Sequence, residues 1–420
     1  MAQLQTLTAL DIGSSKVVCV IGGISPDGGL SVLARGIAPC FGVSNGVIVD
    51  SGQTVEAIIK AVAEAETSGY SASPVLVGLT SENLVFRMGH GVTAVANKEG
   101  EITNADKERA EASASMVGVP SDHEIVSTAT RAFNVDGQKD IINPVGLSGV
   151  RLEAEAYICT APMHYTQNIR RVIEKAGLHI SKQGFLPVAL ASALAVLTDE
   201  ERDVGALVVD IGMGVSDLSV HSAKEVGHAA VLAKGGRFIA DDVAGHFNIT
   251  KSEAERLFRE YGIAAAEYLS PKVANEQVTA LSASGDTDVR ISRRELADVI
   301  EARLQEIIGW VKEHMAEARE QGLAVSGVVL TGGVSLLPAI DHRFSKDLGV
   351  TVRVAAPCRL EAIPKNLDSP LFSATVGLLA FGAHMAKNSI SDETDDRADS
   401  HSGPFGWFWK IADWCSRMFT

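Results

Sequence analysis

The stretch Thr6–Ile24, TLTALDIGSSKVVCVIGGI, sets the reading of the whole chain. Apolar and β-branched runs flank Gly13-Ser14-Ser15, which predicts a β-hairpin around a short turn. Such a turn can aim successive backbone N–H groups at a phosphate, and glycine permits the close approach. One copy does not carry that reading, since most glycine turns only reverse the chain. A second stretch, Asp203–His221, DVGALVVDIGMGVSDLSVH, repeats the design, with Asp11 and Asp210 lying 199 residues apart. That spacing is too long for a solenoid and suits a duplicated α/β domain whose copies face one cleft. Asp11 and Asp210, each at a strand end, are placed to hold the hydration shell of Mg²⁺ between them. Neither turn matches G-x-x-x-x-G-K-[ST], so this is not a P-loop protein.

Further out, Val328–Gly333 reads as a strand entering a glycine pair, where a flat purine or ribose could lie against bare backbone. A plain tight turn is the alternative. Amphipathic helices are predicted at Gln53–Thr67 and Ala161–Ala176. Thr250 with Glu253, and Ser292 with Glu295, read as capping boxes, the second opening a helix to about Gln321. Its stripe of Leu296, Val299, Ile300, Leu304, Ile307, Ile308 and Val311 reads as core packing.

The 420 residues carry 37 basic against 52 acidic side chains, a net charge of −15, with 46% apolar residues. This is a globular composition, and its acidity argues against nucleic acid as the main partner. Cysteines 19, 40, 159, 358 and 415 form no C-x-x-C pair and read as free thiols of a reducing compartment. The first lysine, Lys16, follows Asp11, so no signal peptide is read, and no apolar run reaches the ~18 residues of a spanning helix. The expected location is therefore the cytosol or the cytosolic side of a membrane. The eleven histidines are dispersed without H-x-x-x-H or H-E-x-x-H, which gives no support to a catalytic metal.

Three of four tryptophans fall in the last 14 residues. Residues 388–403, NSISDETDDRADSHSG, read as a disordered acidic linker, and residues 404–420 as an amphipathic helix. At 100° per residue, Trp407, Phe408, Ile411, Trp414, Cys415 and Met418 share one face. Aromatic rings in that pattern suit the headgroup–acyl boundary of a membrane, with apolar burial outweighing the few charges.

Taken together, the motifs resemble the actin-like ATPase superfamily. LDIGSSK (10–16) is similar to its first phosphate motif, VVDIGMGVSDLSV (208–220) to its second, and VVLTGGVSLLPAI (328–340) to its adenosine motif. PVALASALAVL (187–197) and FSATVGLLAFG (372–382) resemble its connecting helices, and all five come in family order. Within that superfamily NPVGLSGVRL (143–152), LAVLTDEERDVGALVVD (194–210) and the aromatic tail resemble the bacterial FtsA cell-division family.

The resemblance implies a two-lobed actin-like α/β fold with duplicated RNase H-like domains. Its first lobe core is 1–82, completed by 162–190 and 370–387, with an inserted subdomain at 83–161. The second lobe is 191–369, including a smaller subdomain at about 231–303. It also implies ATP with Mg²⁺ in the cleft. Gly13, Ser14, Ser15 and Lys16 would contact phosphate, with Gly212, Met213, Gly214 and Val215 opposite. Gly236 and Arg237 would line the same cleft, Glu255 would accept from ribose hydroxyls, and Gly332 and Gly333 would meet adenosine. Implied partners are further copies of the chain in filaments, other divisome proteins, and the acidic C-terminal peptide of FtsZ. Arg290, Arg293, Arg294 and Arg303 are candidates to hold that peptide, because arginine suits bidentate carboxylate recognition. The implied location is the division septum, on the cytoplasmic face of the inner membrane.

Several positions depart from the family pattern. Met213 and Val215 replace a glycine and a threonine, Phe258 stands where lysine is common, and Arg237 where asparagine is frequent. Val188 stands where hydrolytic members carry Glu or Gln to orient water. ATP binding with slow hydrolysis at most is therefore expected. A sugar- or acetate-type kinase of the same superfamily is the alternative, and a pilus-assembly protein of related fold a second.

Overall fold

The computed structural model describes residues 5–395, apart from 26–28, 98, 117, 224 and 359–362. β1 (Gln5–Ile12) and β2 (Lys16–Ile24) form the expected hairpin, paired antiparallel from Gln5↔Ile24 to Ile12↔Val17. Ala9, Leu10 and Val17–Ile21 are buried, so the hairpin runs through the core with both faces covered. β3 (Leu30–Pro39) follows, then a ribbon of β4 (Val43–Ser44) and β5 (Val47–Ile48). α1 (Ser51–Glu66) starts at Asp50, whose carboxylate accepts from the Gln53 amide at 2.9 Å, and β6 (Val75–Leu79) comes next.

The chain then builds a separate layer. β7 (Val85–Ala94), α2 (Asn104–Ser115), β8 (His123–Val135), β9 (Gln138–Ile141) and β10 (Arg151–Pro162) give a sheet ordered β7-β10-β8-β9 under one helix. Ile102, Ala110, Phe133, Leu152 and Ile158 form its own core. α3 (Met163–Lys175) and β11 (Ile180–Pro187) complete the first lobe, whose sheet order is β11-β6-β1-β2-β3.

α4 (Val188–Val196) crosses to the second lobe, which opens with α5 (Asp199–Val204), β12 (Ala206–Ile211), β13 (Ser216–Ser222) and β14 (Glu225–Leu232). α6 (Gly236–Phe247), α7 (Lys251–Tyr261), α8 (Pro271–Ala274) and the hairpin β15 (Gln277–Leu281)–β16 (Asp288–Ser292) follow. α9 (Arg293–Glu320), β17 (Gly327–Thr331), α10 (Ile340–Leu348), β18 (Thr351–Val354) and α11 (Ser373–Asp395) close the described chain. The second sheet is ordered β14-β13-β12-β17-β18. Read from its hairpin edge, each lobe shows three antiparallel strands and then two parallel ones. The duplication inferred from two D-I-G units is thus a duplication of whole sheets.

α4 and α11 pack between the lobes. All nine residues of α4 are buried, and a Cβ placed on Gly377 would lie 1.7 Å from the Ala191 carbonyl oxygen. The two connecting helices therefore touch backbone to backbone. The Ser292–Glu295 capping box is closed at both ends. That of Thr250 is half made, because Arg256 takes the Glu253 carboxylate at 2.7 Å. α11 continues to Asp395 and so takes in the first half of the expected linker at 388–403, whose remainder lies outside the described residues. No glycine or proline interrupts 383–395, so a helix already nucleated in the core propagates through the acidic stretch. Cys19, Cys40 and Cys159 are buried and in no disulfide, and the exposed Cys358 donates from Sγ to the Ala195 carbonyl at 3.4 Å.

Candidate functional site

The two turns are built alike. The Gly13 amide donates to the Lys16 carbonyl at 3.0 Å, and the Gly212 amide to the Val215 carbonyl at 2.9 Å. They face each other across a cleft of about 600 Å³ between the lobes. Asp11, Gly13, Ser14, Ser15 and Lys16 line one side, and Asp210, Gly212, Met213, Gly214 and Val215 the other. At the closest point a Cβ on Gly214 would lie 2.4 Å from Ser14 Oγ. Glu255, Phe258, Gly332, Gly333, Leu336 and Leu337 wall the remaining end, which is largely apolar. A molecule with one anionic and one flat apolar end matches this division.

Two expected residues stand behind the wall. Gly236 opens α6, and its amide donates to the Gly212 carbonyl at 3.0 Å, bracing the second turn. Arg237 reaches across the lobes, Nη2 donating to the Ser14 carbonyl at 2.7 Å. Gly332 holds φ at +84°, and a Cβ there would lie 2.2 Å from Asp210 Oδ1. Only glycine fits that position.

Thr80 and Asp217 also line the cleft and were not singled out from the sequence. Asp217 sits directly opposite Asp210 in the β12–β13 register. Thr80 Oγ1, from the first lobe, lies 2.9 and 2.8 Å from its two oxygens. An aspartate among the apolar residues of 216–220 was the available signal, but only strand pairing reveals that it points inward.

Burial governs the electrostatics here. It pushes the carboxyl groups of Asp11 and Asp217 up, with Asp210 repelling Asp217 further. Asp210 rises to about 6, again mainly by burial, although Ser192 Oγ donates to it. Lys16 is pushed down by burial, against the pull of Asp11 and Asp210, and its Nζ meets the Leu371 carbonyl at 3.3 Å. Two buried carboxyl groups and the half-buried Asp11 beside one lysine fit a hard divalent cation. Val188 lines the same cleft and offers no acceptor.

Residues 83–160 match the family model of the SHS2 domain inserted in FtsA, and residues 207–377 that of the cell division protein FtsA. The cell division protein FtsA of Neisseria meningitidis is 30% identical over 99% of both chains. That of Enterococcus faecalis is 32% identical over 95% of this chain and 90% of its own. The chain belongs to the FtsA family. Among solved structures, a PilM–PilN type IV pilus biogenesis complex matches at TM-score 0.62 and 18% identity, covering 90% of this chain and 98% of that one. MreB5 of Spiroplasma citri bound to ADP matches at 0.54 and 14%, covering 93% and 99%. The fold is thus actin-like, with the SHS2 layer of the FtsA family inserted in its first lobe.

In this FtsA-family protein the four candidate arginines are unevenly engaged. Arg303 chelates Asp242 and meets Glu306 at 2.7 Å, while Arg293 donates to the Tyr261 carbonyl at 3.3 Å and lies 3.6 Å from Glu276. Arg294 pairs with Asp298 at 3.3 Å, and Arg290 is exposed on β16. No helix among the described residues is long and apolar enough to cross a membrane. Trp407, Phe408, Ile411, Trp414, Cys415 and Met418 lie outside the described residues.

Proposed function

We propose that this FtsA-family protein binds ATP with Mg²⁺ between its lobes, forms actin-like filaments, and ties FtsZ to the cytoplasmic membrane. The observation that carries the nucleotide reading is the pair of like-built turns facing across one cleft. Gly13–Lys16 and Gly212–Val215 would cradle the phosphates with backbone amides and the Lys16 ammonium. Asp11 and Asp210 would hold the water shell of Mg²⁺, whose charge would offset their burial. Glu255 would accept from ribose, and the bare backbone at Gly332–Gly333 would leave room for adenosine. With Val188 at the position of a water-orienting acid, the bound nucleotide would act chiefly as a conformational ligand. MreB5 bound to ADP, a protein of like fold, supports the choice of nucleotide.

The terminal segment 404–420 would supply the membrane contact, and Arg290 and Arg294 the surface for the acidic FtsZ peptide. One amphipathic helix binds reversibly, so filament formation would strengthen attachment through multivalency. The test is liposome co-sedimentation with ATP, comparing the full chain with a version ending at Gly403. The proposal expects only the full chain to pellet with lipid and to carry FtsZ down. If both versions stay in the supernatant, the anchor reading falls.

A further inference from the structure

We infer that His228, His314 and Glu317 form a binding site for a Zn²⁺-class divalent metal on the face of the second lobe, away from the cleft. His228 comes from β14, the edge strand, and the other two from consecutive turns of α9. His228 Nε2 and His314 Nδ1 are 3.0 Å apart, His314 Nδ1 and Glu317 Oε2 are 3.0 Å apart, and His228 Nε2 lies 3.8 Å from the same oxygen. Among the described residues this is the one set of three His, Cys, Asp or Glu side chains whose ligand atoms converge in this way.

The chemistry of the donors points to a metal. A ring nitrogen has one hydrogen or one lone pair to offer, yet two partners claim His314 Nδ1 at the same distance. A single cation facing all three atoms resolves that conflict. Ligands at about 2.0–2.1 Å from a tetrahedral centre lie about 3.3 Å from one another, which the observed spacings bracket. Two imidazoles and a carboxylate suit Zn²⁺, Co²⁺ or Ni²⁺ and not Mg²⁺ or Ca²⁺. The ring of Trp310 stands edge-on to His314 with centroids 5.0 Å apart, while the Glu317 side chain is 53% exposed, which gives an ion a way in. No sequence motif announces the site, because His228 and His314 are 86 residues apart and meet only through packing.

A metal here would staple β14 to α9. The same strand carries the inserted layer, through the Arg131–Glu225 ion pair at 3.5 Å. Stiffening β14 would therefore steady the seat of that layer. The test uses the full chain, stripped with chelator and titrated with ZnCl₂ by calorimetry and with CoCl₂ by visible absorption. One equivalent of Zn²⁺ is expected to bind, with a Co²⁺ band of tetrahedral intensity and a rise in Tm on adding Zn²⁺. Glu317→Gln should weaken binding by at least roughly tenfold, the lower limit even for outer-shell changes at metal sites, and His314→Ala should abolish it. Glu317 is exposed enough that its variant decides the matter if His314→Ala unfolds. Absence of stoichiometric binding overturns the inference, as does binding that Glu317→Gln leaves unchanged.

Discussion

Asp210 concentrates the tension between stability and binding at the level of one residue. Burial raises its carboxyl from 3.8 to about 6, so the folded state prefers it protonated. Its contribution to stability is full below about pH 4 and is lost as pH rises through about 6. Asp210→Asn should follow wild type in acid and be the more stable form above pH 6, by roughly 2–3 kcal/mol from the size of the shift. Urea unfolding across pH 3.5–7.5 reads this directly, and a flat difference between the two curves would contradict it. The same variant should weaken Mg²⁺–ATP binding, because the carboxylate whose burial costs stability is the one proposed to face the ion's water shell. Gly332→Ala tests the neighbouring backbone. With φ at +84° and a Cβ at 2.2 Å from Asp210 Oδ1, the added methyl should destabilise by about 1–3 kcal/mol in denaturant and reduce ATP affinity. Wild-type values on both counts would mean that β12 and β17 can shift apart at no cost.

Among elements, the two glycine-turn hairpins and the long helix α9 were legible because their signals are local. Glycine tips, capping residues and apolar periodicity lie within a few residues of what they define. β1–β2 and the Ser292 cap of α9 stand where the sequence indicated. Contacts made at long range were not legible. Thr80 meets Asp217 across 137 residues, and Arg237 reaches Ser14 across 223. The acidic stretch after residue 388 shows how composition and anchoring can point different ways. Its composition reads as solvated coil, but a helix anchored in the core needs only the absence of breakers to continue to Asp395. The α4–α11 crossing gives the sharpest test at this scale. A Cβ on Gly377 would stand 1.7 Å from the Ala191 carbonyl, so Gly377→Ala forces two helices between the lobes apart. A loss of at least about 1–3 kcal/mol in urea unfolding is expected, as for an overpacked core. A milder effect would show that α11 slides freely.

Across the whole molecule, polar ties beside those helices join the lobes at the cleft itself. Thr80, lining the cleft, binds Asp217, and Arg237, behind its wall, binds the Ser14 carbonyl. A charged donor lost there removes on the order of 1–2 kcal/mol of closure. Arg237→Ala should therefore raise opening, and with it amide exchange at residues 12–17 and 211–216, by roughly five- to thirtyfold. The inserted layer has its own core, and none of its described residues lines the cleft, so exchange within β7–β10 should stay as it was. Hydrogen-exchange mass spectrometry separates the two regions in one experiment. Saturating ATP with Mg²⁺ should then shrink the difference, because a ligand gripping both turns supplies the tie that the variant lost. Equal exchange in variant and wild type would mean that α4 and α11 alone set the lobe angle. Exchange that rises in both turns but ignores ATP would leave the loose lobes real and remove the nucleotide from between them.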